Sequence, residues 1–93
     1  MNKYESVIIV NNSIEENQKE ETINKIKKFI EENGEITKTD ILGPKRLAYE
    51  IRKQNMGYYV VFNFNAEPTV ITELEKIYRI TDEIMKFMTI KQD

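Results

Sequence analysis

At 93 residues, 40% hydrophobic and 32% charged, the chain has the makeup of one small folded domain over residues 1–93, not of a disordered segment. It has neither cysteine nor histidine, which excludes disulfides, Cys/His zinc sites, thiol nucleophiles and imidazole acid–base chemistry. The longest apolar run, Val7–Val10, is too short for a membrane span or a secretory h-region, so a cytoplasmic protein with an uncleaved N-terminus is expected, with no membrane, metal or cofactor.

Tyr4–Val10 is rich in β-branched and aromatic residues and ends at Asn11-Asn12, the pattern of a strand closed by a turn. Ser13-Ile14-Glu15-Glu16 fits a capping box for the helix that follows. Glutamates 15, 16, 20 and 21 precede Lys25, Lys27 and Lys28, an order that suits the helix dipole. Ile23, Ile26 and Ile30, with Phe29 beside them, form one apolar stripe. Asn33-Gly34 offers a residue tolerant of positive φ to stop it.

Glu35–Arg52 has no helical stripe and reads as a long strand bent at Gly43-Pro44. Gln54–Gly57 has turn chemistry, and Tyr58–Asn65 returns as an apolar strand to complete a hairpin. Pro68 suits the first position of a second helix, whose stripe is Val70, Ile71, Leu74, Ile77 and Tyr78. Thr81-Asp82-Glu83 ends it, and Ile84–Lys91 is a last strand. The order β-α-β-β-α-β is the α+β, ferredoxin-like arrangement: a four-stranded antiparallel sheet with both helices on one face.

Parity along the strands then sorts the side chains. Tyr4, Ile8, Val10, Val60, Phe62, Phe64 and Phe87 point to the helices, although Ser6 interrupts the inner row. Val7, Ile9, Tyr59, Val61, Asn63, Lys86, Met88 and Ile90 share the uncovered face. Such a half-apolar face suits a protein partner, or is merely a set of scattered exposed hydrophobes.

With net charge −2 and a pI near 5.3, nothing global points to nucleic acid. The charges are nevertheless uneven: residues 1–42 hold six basic and nine acidic side chains, residues 43–93 eight and seven. Gly43–Gly57 carries Lys45, Arg46, Arg52 and Lys53 against Glu50 alone, and Arg79, Lys86 and Lys91 follow. That cluster can neutralise phosphates, or can be plain solvated surface. Tyr58 and Tyr59 suit base stacking or one core and one surface position, and Arg79 suits a phosphate or the negative end of the second helix.

Enzyme readings lack their motifs. No glycine-rich phosphate loop occurs, and the adjacent carboxylates Glu15/Glu16 and Glu31/Glu32 diverge on a helix surface. Ferredoxin-like domains also include ligand-binding modules and acyl phosphate hydrolases, for which Asn11-Asn12 is the one loop pair that qualifies.

The stretch Gly43-Pro44-Lys45-Arg46-Leu47-Ala48-Tyr49-Glu50-Ile51-Arg52 resembles the characteristic motif of the family of ribosomal protein six of the bacterial small subunit. Lys3-Tyr4-Glu5, Gly57-Tyr58 and Arg79-Ile80 through Lys91 extend the resemblance along the chain. It implies a non-catalytic structural component of the ribosome, located in the cytoplasm. It further implies binding to the central domain of small-subunit ribosomal RNA, jointly with ribosomal protein eighteen. Carried over position by position, it implies RNA contacts at Lys3, Tyr4, Lys45, Arg46, Arg79, Lys86 and Lys91. The open face, through Val7, Ile9, Tyr59, Val61, Met88 and Ile90, is expected to meet the protein partner. Thr81 and Met85 stand where some members have arginine.

Overall fold

A run of β-branched and aromatic residues makes the N-terminal segment a strand and a three-to-four-residue apolar repeat makes the next a helix, and the computed structural model, which describes residues 1–92, contains both. The elements are β1 (Asn2–Asn11), α1 (Glu16–Asn33), β2 (Gly34–Ile51), β3 (Gln54–Ala66), α2 (Pro68–Ile80) and β4 (Ile84–Gln92). The strands form one antiparallel sheet in the order β2-β3-β1-β4, the split βαβ arrangement.

The core lies between the helices and one sheet face. Ile8, Val10, Val60, Phe62 and Phe64 pack against Ile23, Ile26 and Ile30 of α1 and Leu74 and Tyr78 of α2. Burying each phenylalanine contributes about 2 to 3 kcal/mol. Ser6, at the centre of this apolar row, is fully buried, and its hydroxyl hydrogen-bonds with the Tyr78 hydroxyl at 2.7 Å and the Thr89 hydroxyl at 3.0 Å. The interruption in the inner row is therefore a satisfied polar pair under α2.

Three local expectations fail, each for a physical reason. The capping box does not form. Ser13 instead donates its backbone N–H to the Asn11 carboxamide at 2.8 Å, and its hydroxyl donates to Gln54 Oε1 at 3.1 Å. The Glu16 carboxylate pairs with Lys19 Nζ at 3.1 Å, and the buried Lys19 also reaches Asn12 Oδ1 and the Tyr58 ring.

Gly34 does not stop α1 by a left-handed turn either: its φ of −168° is extended, and it enters β2 directly opposite Ala66. Glycine is required there because a Cβ would collide with the carbonyl oxygen of Asn65.

The β2–β3 turn is not Gln54–Gly57. It is Arg52-Lys53, both at positive φ (50° and 63°), between the paired residues Ile51 and Gln54. This is the geometry of a two-residue hairpin loop, which usually selects Asn or Gly.

The bend at Gly43 is present, with φ 78° and a register shift between Ile41 and Gly43. A second irregularity lies beyond it. Arg46 pairs with Met56 and Ile51 with Gln54, so Leu47–Glu50 bulge out against Asn55. Pairing of β1 with β3 stops at Asn11 and Gly57, and the end of the hairpin therefore projects past the other two strands.

Candidate nucleic-acid interface

The bulge decides what the open face offers. Lys45, Leu47 and Tyr49 share one parity, and the bulge turns them over the sheet. Leu47 is buried, and a Cβ on Gly57 would meet both Ile9 and Leu47. Ile9 is consequently only 8% exposed, which corrects the expectation that it is freely available on the partner face. Tyr49, 63% exposed, reaches across to β4, where Lys86 Nζ donates a hydrogen bond to its hydroxyl at 2.7 Å. The same ammonium lies 5.0 Å from the centre of the Tyr49 ring. The hydrogen bond to Tyr49 holds the Lys86 pKa above its ordinary value of 10.5.

Beside this bridge, Val7, Ile9, Tyr59 and Met88 line a shallow apolar depression of about 330 Å³. Val61 lies on the same face, paired with Val7, while Met88 and Ile90 are 59% and 45% exposed. Tyr58, by contrast, lies on the helix side beneath Lys19, and Tyr59 faces the depression. The two tyrosines thus divide between core and open face.

The basic residues fall into separate groups. Lys45 and Arg46 are exposed on the β2 arm, opposite Gly57 and Met56, at the same end of the sheet as Lys86. Lys3 and Lys91 lie at the other end of the β1–β4 pair, where Lys3 faces Gln92 and Lys91 faces Tyr4. Lys91 lies five residue steps along the strand from Lys86, about 17 Å. Arg79 is in the last turn of α2 on the helix side, 3.8 Å from Glu75 and 5.8 Å over the Phe87 ring. Tyr4 does not belong with these exposed groups. Tyr4 is 7% exposed, its ring is stacked on Phe64 and its hydroxyl accepts a hydrogen bond from Asn2, so it offers little surface for the RNA contact expected of it.

The sequence named Tyr49, Arg52 and Lys53 within the basic stretch but not where they would stand. Tyr49 bridges to Lys86, which only the bulge makes possible. Arg52 and Lys53 form the hairpin tip, and Arg52 Nη1 donates to the Asp82 carbonyl at 2.8 Å.

The hydrolase reading finds no support at its loop. The Asn11 carboxamide accepts the Ser13 N–H and the Asn12 carboxamide accepts from Lys19, so both are used to shape the β1–α1 connection. Among the described residues no group of acidic side chains is arranged to hold a metal ion, and no helix is long and apolar enough to cross a membrane.

The molecule is thus a ferredoxin-like domain with exposed cations on its hairpin arm and edge strand and an apolar depression on its open face. The family model for ribosomal protein S6 matches residues 3–91. The chain is 40% identical to small ribosomal subunit protein bS6 of Caldanaerobacter subterraneus over 94 aligned positions, covering all of this chain and 99% of that protein. The bS6 protein of Clostridium novyi is 42% identical with the same coverage. The crystal structure of 30S ribosomal protein S6 from Thermotoga maritima superposes with a TM-score of 0.93 at 36% identity, covering 98% of this chain and 87% of that one. The chain belongs to the ribosomal protein S6 family, whose members are structural components of the ribosome and not enzymes.

Proposed function

We propose that this chain, as a protein of the small ribosomal subunit, binds the central domain of the subunit's RNA jointly with ribosomal protein eighteen. The observation that supports the reading is the pair of exposed cations Lys45 and Arg46 at the same end of the sheet as Lys86, which lines the apolar depression, on a chain whose net charge is −2. In this reading Lys3, Lys45, Arg46, Arg79, Lys86 and Lys91 contact phosphates, and Tyr4 supports β1 from beneath. Phosphate contacts fix position without reading sequence, so specificity comes from the shape of a folded RNA junction. Val7, Tyr59, Val61, Met88 and Ile90, with the edge of Ile9, receive the protein partner. An acidic chain has little general attraction for RNA, which suits binding to a prepared site only.

The test is binding of the purified chain to a central-domain RNA fragment across a salt series, with and without protein eighteen. Affinity that sharpens with the partner, and a salt slope that steepens by about 0.7 to 0.9 for each phosphate this chain contacts, are the expected results. Absence of binding in both arms would overturn the reading.

A further inference from the structure

We propose that the tip of the β2–β3 hairpin, Arg52 and Lys53, is an additional binding site for the RNA sugar-phosphate backbone. The inference rests on the RNA-binding reading above and adds a site outside the residues assigned there.

The tip is built against the usual preferences of its own turn. A two-residue hairpin loop with both residues at positive φ favours Asn-Gly or Asp-Gly, because a Cβ crowds the backbone in the left-handed region. Here both places are held by long cationic side chains at φ 50° and 63°. Strain of this kind at an exposed position points to a use for the side chains that outweighs the backbone preference.

The position suits that use. The hairpin continues past the end of the β1–β3 pairing, and its tip lies beside the β1–α1 and α2–β4 connections with both side chains exposed. Both residues are exposed, and Lys53 has no ion pair among the described residues. One guanidinium nitrogen of Arg52 donates to the Asp82 carbonyl of the α2–β4 connection, which fixes the tip to the body of the domain while the N–H groups of the other two nitrogens are left to donate. Lys45 and Arg46 lie further along the same arm, opposite Gly57 and Met56. Glu50 is the only acidic residue within Gly43–Gly57, and it borders the same shallow polar depression as Lys53. Two exposed cations side by side on an anchored hairpin tip suit a phosphate backbone, and a partner protein is the less fitting occupant because the tip carries no apolar side chain.

The experiment compares Lys53→Gly, the double variant Arg52→Asn/Lys53→Gly and the control Lys28→Gln with the unmodified chain, each bound to the central-domain RNA fragment with protein eighteen present. Lys28 is an exposed cation of α1, remote in sequence from the hairpin. Lys53→Gly should keep or raise the melting temperature, since glycine relieves the left-handed strain, and should shrink the log–log salt slope by about 0.7 to 0.9. The double variant should shrink it by about twice as much, and Lys28→Gln should leave it unchanged. A weaker turn residue that only shaped the hairpin would not lose RNA affinity while gaining stability. An unaltered slope in Lys53→Gly, or an equal loss in Lys28→Gln, would overturn the site while leaving the RNA-binding reading in place. Failure of the unmodified chain to bind RNA would remove that reading and the tip site with it.

Discussion

Lys86 on β4 and Tyr49 in the β2 bulge meet across the open face of the sheet, 2.7 Å from ammonium to hydroxyl and 5.0 Å from ammonium to ring centre. The contact ties the one strand edge to the other over the two strands between them, and it places a cation on the rim of the apolar depression. The hydrogen bond from the amine to Tyr49, with a smaller electrostatic contribution from the same residue, favours the charged amine, so the Lys86 pKa is raised. A raised lysine pKa means that this contact is complete below 10.5 and is lost as pH rises through the higher folded value.

Tyr49→Phe removes the hydrogen bond and keeps the ring. The expected outcome is a fall of the Lys86 pKa toward 10.5, followed by NMR titration of the side-chain carbon next to the amine. The bridge is exposed, so the melting temperature should move by no more than about 2 °C. An unchanged Lys86 titration would show that the hydroxyl does not hold the amine in solution.

The buried Ser6–Tyr78 pair gives the fold a second pH dependence. Burial disfavours the phenolate and raises the Tyr78 pKa, a shift that the Ser6 hydrogen bond lowers and the Glu75 charge adds to. The unfolded chain releases this proton near pH 10 and the folded chain retains it, so above pH 10 the unfolded state binds fewer protons. Stability should be insensitive to this group below pH 10 and should fall above it, by up to about 1.4 kcal/mol per pH unit. Tyr78→Phe should cost about 1 kcal/mol at neutral pH, since Ser6 keeps Thr89 as a partner, and should flatten the alkaline slope. Urea unfolding of both proteins between pH 8 and 11 measures this directly, and parallel curves would assign the slope to other groups.

The element order and the core were legible because they depend on periodicity. Ile23, Ile26 and Ile30 repeat at helical spacing, Val60, Phe62 and Phe64 at strand spacing, and all six are buried. What failed depended on choices among local partners. Ser13 had the spacing of a cap, but the Asn11 carboxamide captured its N–H and Gln54 its hydroxyl. Asn55-Met56-Gly57 had turn residues, yet Gly57 is glycine because Ile9 and Leu47 occupy the space above it. The true turn had no turn residue to mark it. The Leu47-Ala48-Tyr49 stretch stood out by resemblance alone. Its physical role, a bulge that covers Ile9 and reaches Lys86, is a long-range packing relation that no local pattern encodes.

Gly57 provides a direct check on that packing. No positive φ requires glycine there, so the constraint is space alone. Gly57→Ala should destabilise the fold by about 1 to 3 kcal/mol, as overpacked sites do, with a melting-temperature loss of about 4 to 8 °C per kcal/mol. Ile9→Ala removes the side-chain atom nearest the added Cβ, so the double variant should lose less than the sum of the two single losses. Strict additivity would mean that the bulge lifts away from the sheet in solution.

The basic pair can be separated from the apolar face by reversing its charge. Lys45→Glu with Arg46→Glu touches exposed side chains, so thermal stability should change by less than about 1 kcal/mol. Incorporation into small-subunit particles should fall, and the salt slope of RNA binding should shrink by about 1.4 to 1.8 if both residues meet phosphates. Binding to protein eighteen in the absence of RNA should persist. Normal incorporation of this variant would take the pair out of the RNA site.

Met88→Glu tests the other surface. Met88 is 59% exposed on the rim of the depression, so a carboxylate there costs the free domain little. Against an apolar partner the same carboxylate is buried without a counter-charge, a change that removes several kcal/mol of affinity where it cannot reach water. The expected result is loss of binding to protein eighteen by calorimetry, with residual RNA binding equal to that of the unmodified chain measured without the partner. Charge reversal of the basic pair should do the converse. The two variants would then assign RNA and protein to different faces of one sheet, while an unaltered partner affinity in Met88→Glu would move the protein contact to the exposed edge of β2 or β4.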